Sequence, residues 1–192
     1  MPSLRERNRH AAMRLTQRTA LDLFEEQGFD NVTVNQIAEE VGMAASTIYR
    51  HFDTKEAIVL WDEHDADLEQ PFDQAFRALP PFEALRSVLV EELGRRYDGD
   101  EFQLRRVRYL YATEQLHAAS VESSYADAEE LAEALEQVLS KTNRGAALVM
   151  AGAAMIALDV AFDRWQESGA SKPLGALIDE AFGALGNLES LR

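Results

Sequence analysis

The stretch from Thr33 to Lys55 leaves the chain few ways to fold. Thr33 suits a helix N-cap, its hydroxyl accepting a backbone N–H of the residues that follow. Ile37, Ala38 and Val41 then share one face at helical spacing. Gly42 supplies the left-handed residue at which this short helix turns sharply into the next. Ile48 and Phe52, four apart, anchor a second short helix and leave Ser46, Thr47, Tyr49, Arg50 and His51 outside. Two short helices about a glycine turn, the second with an outward polar and aromatic face, are the pattern of a DNA-reading helix-turn-helix.

The remaining periodicities are helical. Residues 1–11 read as a polar, basic arm leading into a helix through Leu15, Ala20, Leu23, Phe24 and Gln27, which Gly28 ends and Phe29 closes. One long helix is expected from Lys55, with Ile58, Trp61, Leu68, Phe72 and Phe76 as its stripe. Pro80-Pro81 breaks it, and Phe82, Leu85, Leu89 and Leu93 line the next, up to the turn Asp98-Gly99-Asp100. Helices follow over 102–116 and over 123–139, the latter with Leu131, Leu135, Val138 and Leu139 inside. Thr142-Asn143 opens an apolar helix to Glu167. Pro173 starts the last one, with Leu174, Leu177, Ile178, Phe182, Leu185 and Leu188 as its stripe. No stretch alternates with period two, so the expectation is an all-α chain of about nine helices. It divides into a helix-turn-helix domain, residues 1–55, and a larger helical domain, residues 56–192.

Charge sharpens the reading. The net charge of −15 argues at first against nucleic acid. Before residue 20, however, Arg5, Arg7, Arg9, Arg14 and Arg18 meet only Glu6 among acids. A local patch, not the total, decides contact with a polyanion. The basic start is either a DNA-contacting arm or a solvated helix start. The absence of cysteine excludes disulfide and thiolate chemistry and suits a cytoplasmic protein. The start lacks a secretory h-region. The longest apolar run, Gly145–Leu158, is short for a membrane span and reads as a buried or interface helix.

Ile37-Ala38 with Gly42, then Thr47-Ile48-Tyr49-Arg50-His51-Phe52, then Lys55-Glu56 resembles the signature of TetR-type transcriptional regulators, over Leu15 to Ile58. The resemblance implies that Thr47 meets bases or phosphates and that Tyr49 and His51 reach the phosphate backbone. It makes Lys55 and Thr33 phosphate ligands at helix N-termini. Asn35, Ser46 and Arg50 are base readers by exposure alone; for all eight the plainer alternative is a solvated polar side chain. Ala44 and Ala45 depart from the family's pattern: the side-chain cap of the second helix is missing, and Ala45 offers bases only an apolar contact. The resemblance further implies a homodimer through the last two helices, which here are rich in alanine and glycine; the plainer alternative is that they are core helices of a monomer. Two recognition helices about 34 Å apart then read a palindromic operator in double-stranded DNA.

The same likeness implies an effector pocket in the second domain. Trp61, Leu104, Val107, Leu110, Tyr111, Tyr125, Met155, Phe162 and Trp165 are suitable lining, with core packing as the alternative for each. A more diffuse likeness, carried by Leu4-Arg5-Glu6-Arg7, Arg105-Arg106-Val107-Arg108 and Phe162–Gly169, is to members with acyl-CoA-like ligands. Arg105, Arg106 and Arg108 either meet ligand phosphates or pair on the surface, Arg105 with Glu101. An enzyme is disfavoured: the four histidines have no metal spacing, and no nucleophile elbow, P-loop or dinucleotide fingerprint appears, so no cofactor is expected. The other rival is a helical ligand-sensing or antirepressor module with a degenerate DNA head.

Overall fold

The computed structural model describes residues 3–63, 68–138 and 143–186. Among them the backbone forms ten α-helices, one short 3-10 turn and no strand, as the all-α expectation required. In order these are α1 (Leu4–Gln27), the 3-10 turn Phe29–Asn31, α2 (Val34–Val41), α3 (Ala45–His51) and α4 (Lys55–Leu60). There follow α5 (Glu69–Ala78), α6 (Pro81–Tyr97), α7 (Glu101–Ala112), α8 (Glu114–Val138), α9 (Arg144–Glu167) and α10 (Leu174–Gly186).

Three local expectations are corrected. The basic start is not a loose arm: Ser3 and Glu6 form a reciprocal capping box, and the helix runs from Leu4. The long helix after Lys55 is two helices. α4 ends at Leu60, where Trp61 turns extended, and α5 restarts at Glu69 with Pro71 in its first turn. Proline lacks an N–H and suits a first turn rather than an interior. The break expected between 116 and 123 lies instead at Thr113, because no glycine or proline interrupts residues 114–138. Leu139 and Leu188 lie outside the described residues.

The chain gathers into two compact units, Met1–Asp65 with Tyr109–Ala119, and Ala66–Arg108 with Ser120–Arg192. In the first, α1 packs on α2, α3 and α4. Its core joins Ala20 and Phe24 of α1 to Ile37 and Ala38 of α2, Ile48 of α3, Phe52, Ile58 of α4 and Leu116. α3 has only seven residues and is too short to stand alone. Ile48 and Phe52 are 1% and 3% exposed, and burial of such side chains stabilises by about 1.5–3 kcal/mol each.

In the second unit α6 and α10 pack closely, and α9 packs on both. The α6–α10 pair runs antiparallel from contact to contact. Phe82 meets Phe182 at 5.2 Å between ring centroids, and Arg86 pairs with Asp179 at 2.7 Å. The Asp98 carboxylate accepts the Leu174 amide at 2.7 Å. Between these the backbones nearly touch, since a Cβ built on Gly94 would lie 3.3 Å from the Gly175 Cα. On α9, Ala147, Ala151, Ala154, Ala157 and Ala161 are buried in one ridge, whereas Val149, Ile156 and Val160 stand exposed. α9 is also long and apolar enough to cross a membrane by length and composition.

A methyl group at Gly175 would come 2.8 Å from the Val90 carbonyl oxygen. Gly175→Ala is therefore expected to cost about 1–3 kcal/mol, read as a lowered midpoint in urea unfolding.

Candidate nucleic-acid interface

The candidate interface is built on α2, α3 and the turn between them. Thr33 caps α2 as its sequence suggests: the hydroxyl accepts the Gln36 amide at 3.3 Å, and the Gln36 carboxamide oxygen accepts the Thr33 amide at 2.8 Å. Gly42 takes the left-handed conformation, φ +73°. Its N–H donates to the Glu39 carbonyl at 3.1 Å, and the Met43 N–H to the Ala38 carbonyl at 2.9 Å, closing α2 and launching α3. Ala44 gives α3 no side-chain cap. The cost is the satisfaction of an orphan backbone donor, so tertiary burial of Ile48 and Phe52 must hold the helix.

With those two side chains inside, Ser46, Tyr49 and Arg50 are exposed and Thr47 and His51 half-buried; on α2, Thr33 and Asn35 are exposed. All eight candidate residues, the half-buried Lys55 included, thus reach solvent around one helix-turn-helix. His51 has one face inward. Its Nδ1 is buried without a hydrogen-bond partner. Burial, then the charges of Arg9 and Arg50, hold its pKa below the ordinary histidine value.

Lys55 is placed differently from a free phosphate ligand. Its ammonium donates to the Phe29 carbonyl at 2.5 Å and the Val32 carbonyl at 3.1 Å, and lies 4.1 Å from the Phe29 ring centroid. It ties α4 to the connection between α1 and α2, and two of its three protons serve that tie. Gln17, which the sequence reading did not single out, holds the other end of α4. Its buried amide donates to the carbonyls of Ile58 at 2.9 Å and Trp61 at 2.7 Å. Those partners lie more than 40 residues away along the chain, so only a polar side chain inside an apolar stripe hinted at it.

The nine candidate lining residues do not form one set. Trp61, Leu110 and Tyr111 pack on the core of the first unit. In the second, Phe162 and Trp165 flank Tyr97, with ring centroids at 5.0 and 5.9 Å. Leu104 and Met155 are half-buried, Val107 is buried, and Tyr125 stands 64% exposed. Trp165 is 1% exposed and its indole N–H has no partner. Arg106 is buried, donating to Gln103 Oε1 and to the Tyr97 hydroxyl, both at 2.8 Å. Arg108 is exposed and Arg105 half-buried.

Residues 18–60, which hold this helix-turn-helix, match the family described as bacterial regulatory proteins, tetR family. The helix-turn-helix segment is therefore similar to that of tetR-family regulators. The HTH-type transcriptional regulator TcmR of Streptomyces glaucescens is 34% identical over 103 residues, 52% of this chain and 45% of that protein. The chain therefore spans less than half the length of that curated relative. The fold is shared with FadR of Thermus thermophilus, a TetR-family repressor solved in complex with lauroyl-CoA: TM-score 0.57, 19% identity, covering 94% of this chain and 95% of the other. It is shared too with NalD, the secondary repressor of the MexAB-OprM multidrug efflux pump in Pseudomonas aeruginosa: TM-score 0.54, 19% identity, covering 93% and 96%.

Two measurements probe this helix-turn-helix head. Lys55→Met strands two carbonyls and is expected to lose about 1–3 kcal/mol in urea unfolding, with Lys55→Arg losing less. For His51, a lowered folded pKa means that the unfolded chain binds more protons below the ordinary histidine pKa, so this contribution to stability declines as pH falls through that window. Between about pH 7.5 and pH 5.5, the wild type should therefore lose stability relative to His51→Gln. A constant difference between the two thermal midpoints would show that His51 titrates as it does in the unfolded chain.

Proposed function

We propose that this chain is a ligand-responsive transcriptional regulator, a repressor that binds a palindromic operator as a homodimer and is released by a small apolar or amphipathic effector. The observation that carries the reading is the outward face of α3. Ser46, Tyr49 and Arg50 project from a helix whose Ile48 is fixed beneath, within residues matched by the tetR family. In this reading Thr47, Ser46, Arg50 and Asn35 meet bases or phosphates, and Thr33, Tyr49 and His51 meet the backbone. Lys55 offers the backbone its remaining proton.

The homodimer reading draws on α9. Val149, Ile156 and Val160 are 74%, 64% and 44% exposed on one helix. An apolar row of this kind favours a protein partner. A second copy, packed through α9 and α10, supplies it and gives two recognition helices for one palindrome. The effector reading draws on the second unit. A buried indole N–H with no acceptor, beside Tyr97 and Phe162, fits an apolar ligand carrying a hydrogen-bond acceptor. The lauroyl-CoA of the FadR complex has that character. The effector releases DNA only by binding the non-operator spacing more tightly than the operator-bound one.

Selection from a random duplex pool, with the intact chain and a Tyr49→Ala/Arg50→Ala variant, tests this. The expected outcome is an enriched palindrome for the intact chain and none for the variant. A folded protein that enriches nothing would instead be a ligand-sensing or antirepressor module with a degenerate head.

A further inference from the structure

We propose that the first turns of α1 are a second DNA-contacting element, in which Arg5 and Arg9 hold backbone phosphates beside the base pairs facing α3. The inference rests on the DNA-binding reading above and adds residues outside the helix-turn-helix.

The first observation is electrostatic. The chain has 34 acidic side chains against 19 basic ones, so a surface arginine has ample opportunity to find a carboxylate. Most do. Arg14 pairs with Glu63, Arg86 with Asp179, Arg95 and Arg96 with Glu92, Arg144 with Glu133 and Glu136, Arg164 and Lys172 with Glu180. The side chains of Arg5, Arg7, Arg9 and Arg50 make no hydrogen bond or ion pair with any described residue; beyond them only the Arg77 side chain, in the other unit, shares that state among the described residues. The one acid among the first turns, Glu6, is engaged by the capping box, its carboxylate accepting the Ser3 amide at 2.6 Å.

The second observation is geometric. Leu4 to Ala11 are helical yet exposed throughout, and the first buried residue of α1 is Met13. Two turns of formed helix therefore project beyond the head's core, about 12 Å of it. Arg5 and Arg9 are one turn apart on one face, about 6 Å along the axis, while Arg7 lies about 200° around the helix from both. Arg9 is near enough to His51, at the end of α3, for its charge to act on that imidazole. The Arg5–Arg9 face and the end of the recognition helix thus share one positive surface with Arg50. Such like-charge crowding without a counter-charge destabilises the free head and is relieved by a polyanion. Because the segment is already capped and helical, DNA need not order it, and little of the gain is lost to conformational entropy.

Phosphate contacts are sequence-independent and appear in the salt dependence of binding, about 0.9 in the slope of log K against log salt for each phosphate neutralised on duplex DNA. The test compares the full-length wild type, Arg5→Gln/Arg9→Gln and Arg7→Gln by fluorescence anisotropy across a salt series. Two duplexes are used, the enriched palindrome and a fixed unrelated sequence at low salt. The expected result is a slope smaller by about 2 per bound protomer in the double variant, on both duplexes, with Arg7→Gln close to wild type and the selected sequence unchanged. An unchanged slope in the double variant, or an equal fall per charge in Arg7→Gln, overturns the proposal. If no palindrome is enriched the regulator reading fails by itself, and the unrelated duplex still decides whether Arg5 and Arg9 meet phosphates. Thermal unfolding by circular dichroism verifies that the substitutions, all at exposed positions, leave the fold intact.

Discussion

A six-residue helix held at both ends by inward-turned polar side chains gives the first unit its coherence. α4 is too short to persist by its own hydrogen bonds. At its start the Lys55 ammonium reaches the carbonyls of Phe29 and Val32, and at its end the Gln17 amide gathers those of Ile58 and Trp61. Ile58 and Val59, between the clamps, are 0% and 1% exposed. The carbonyls that a helix C-terminus leaves without partners are thus satisfied by a side chain from α1. Because α1 also packs on α2 and α3, the clamps on α4 fix the surroundings from which the recognition helix projects.

Local chemistry made the central motif legible. Thr33 as a cap, Gly42 as a left-handed turn and Ala44 as an absent cap are decided by residues within one turn of each other, and each appears as expected. The capping box at Ser3 and Glu6 carried an equally local signal, but the run of arginines between and beyond them reads first as a solvated arm. Pro71 likewise marked the restart of α5, against a hydrophobic stripe that continues smoothly across the break. Gln17 and the inward turn of Lys55 belong to another class. Their partners come from distant parts of the chain, and no spacing rule relates them. The scattering of the candidate lining residues over two units has the same origin, since aromatic and methionine side chains look alike in a core and beside a ligand.

Small residues serve two opposite ends in the second unit. At Gly94 and Gly175 they bring two backbones into contact, and the paired rings, ion pair and capped amide along the same seam fix the register. On α9 the alanine ridge turned inward leaves the larger valines and isoleucine outward, an inversion of the usual arrangement. Inward contact on this helix thus gains its closeness from side chains that lose almost no rotamer entropy. The apolar area that would ordinarily reward folding is left facing outward.

The two tryptophans of the chain are divided between the units, Trp61 in the first and Trp165 in the second. Trp61 is half-buried, edge-on to Phe52 at 6.0 Å and to His10 at 6.2 Å, whereas Trp165 is buried, edge-on to Tyr97 at 5.9 Å. Their emission therefore separates by environment: a partly hydrated indole in one unit and a dry indole, shielded from solvent, in the other. The molecule carries one intrinsic optical reporter for each of its halves.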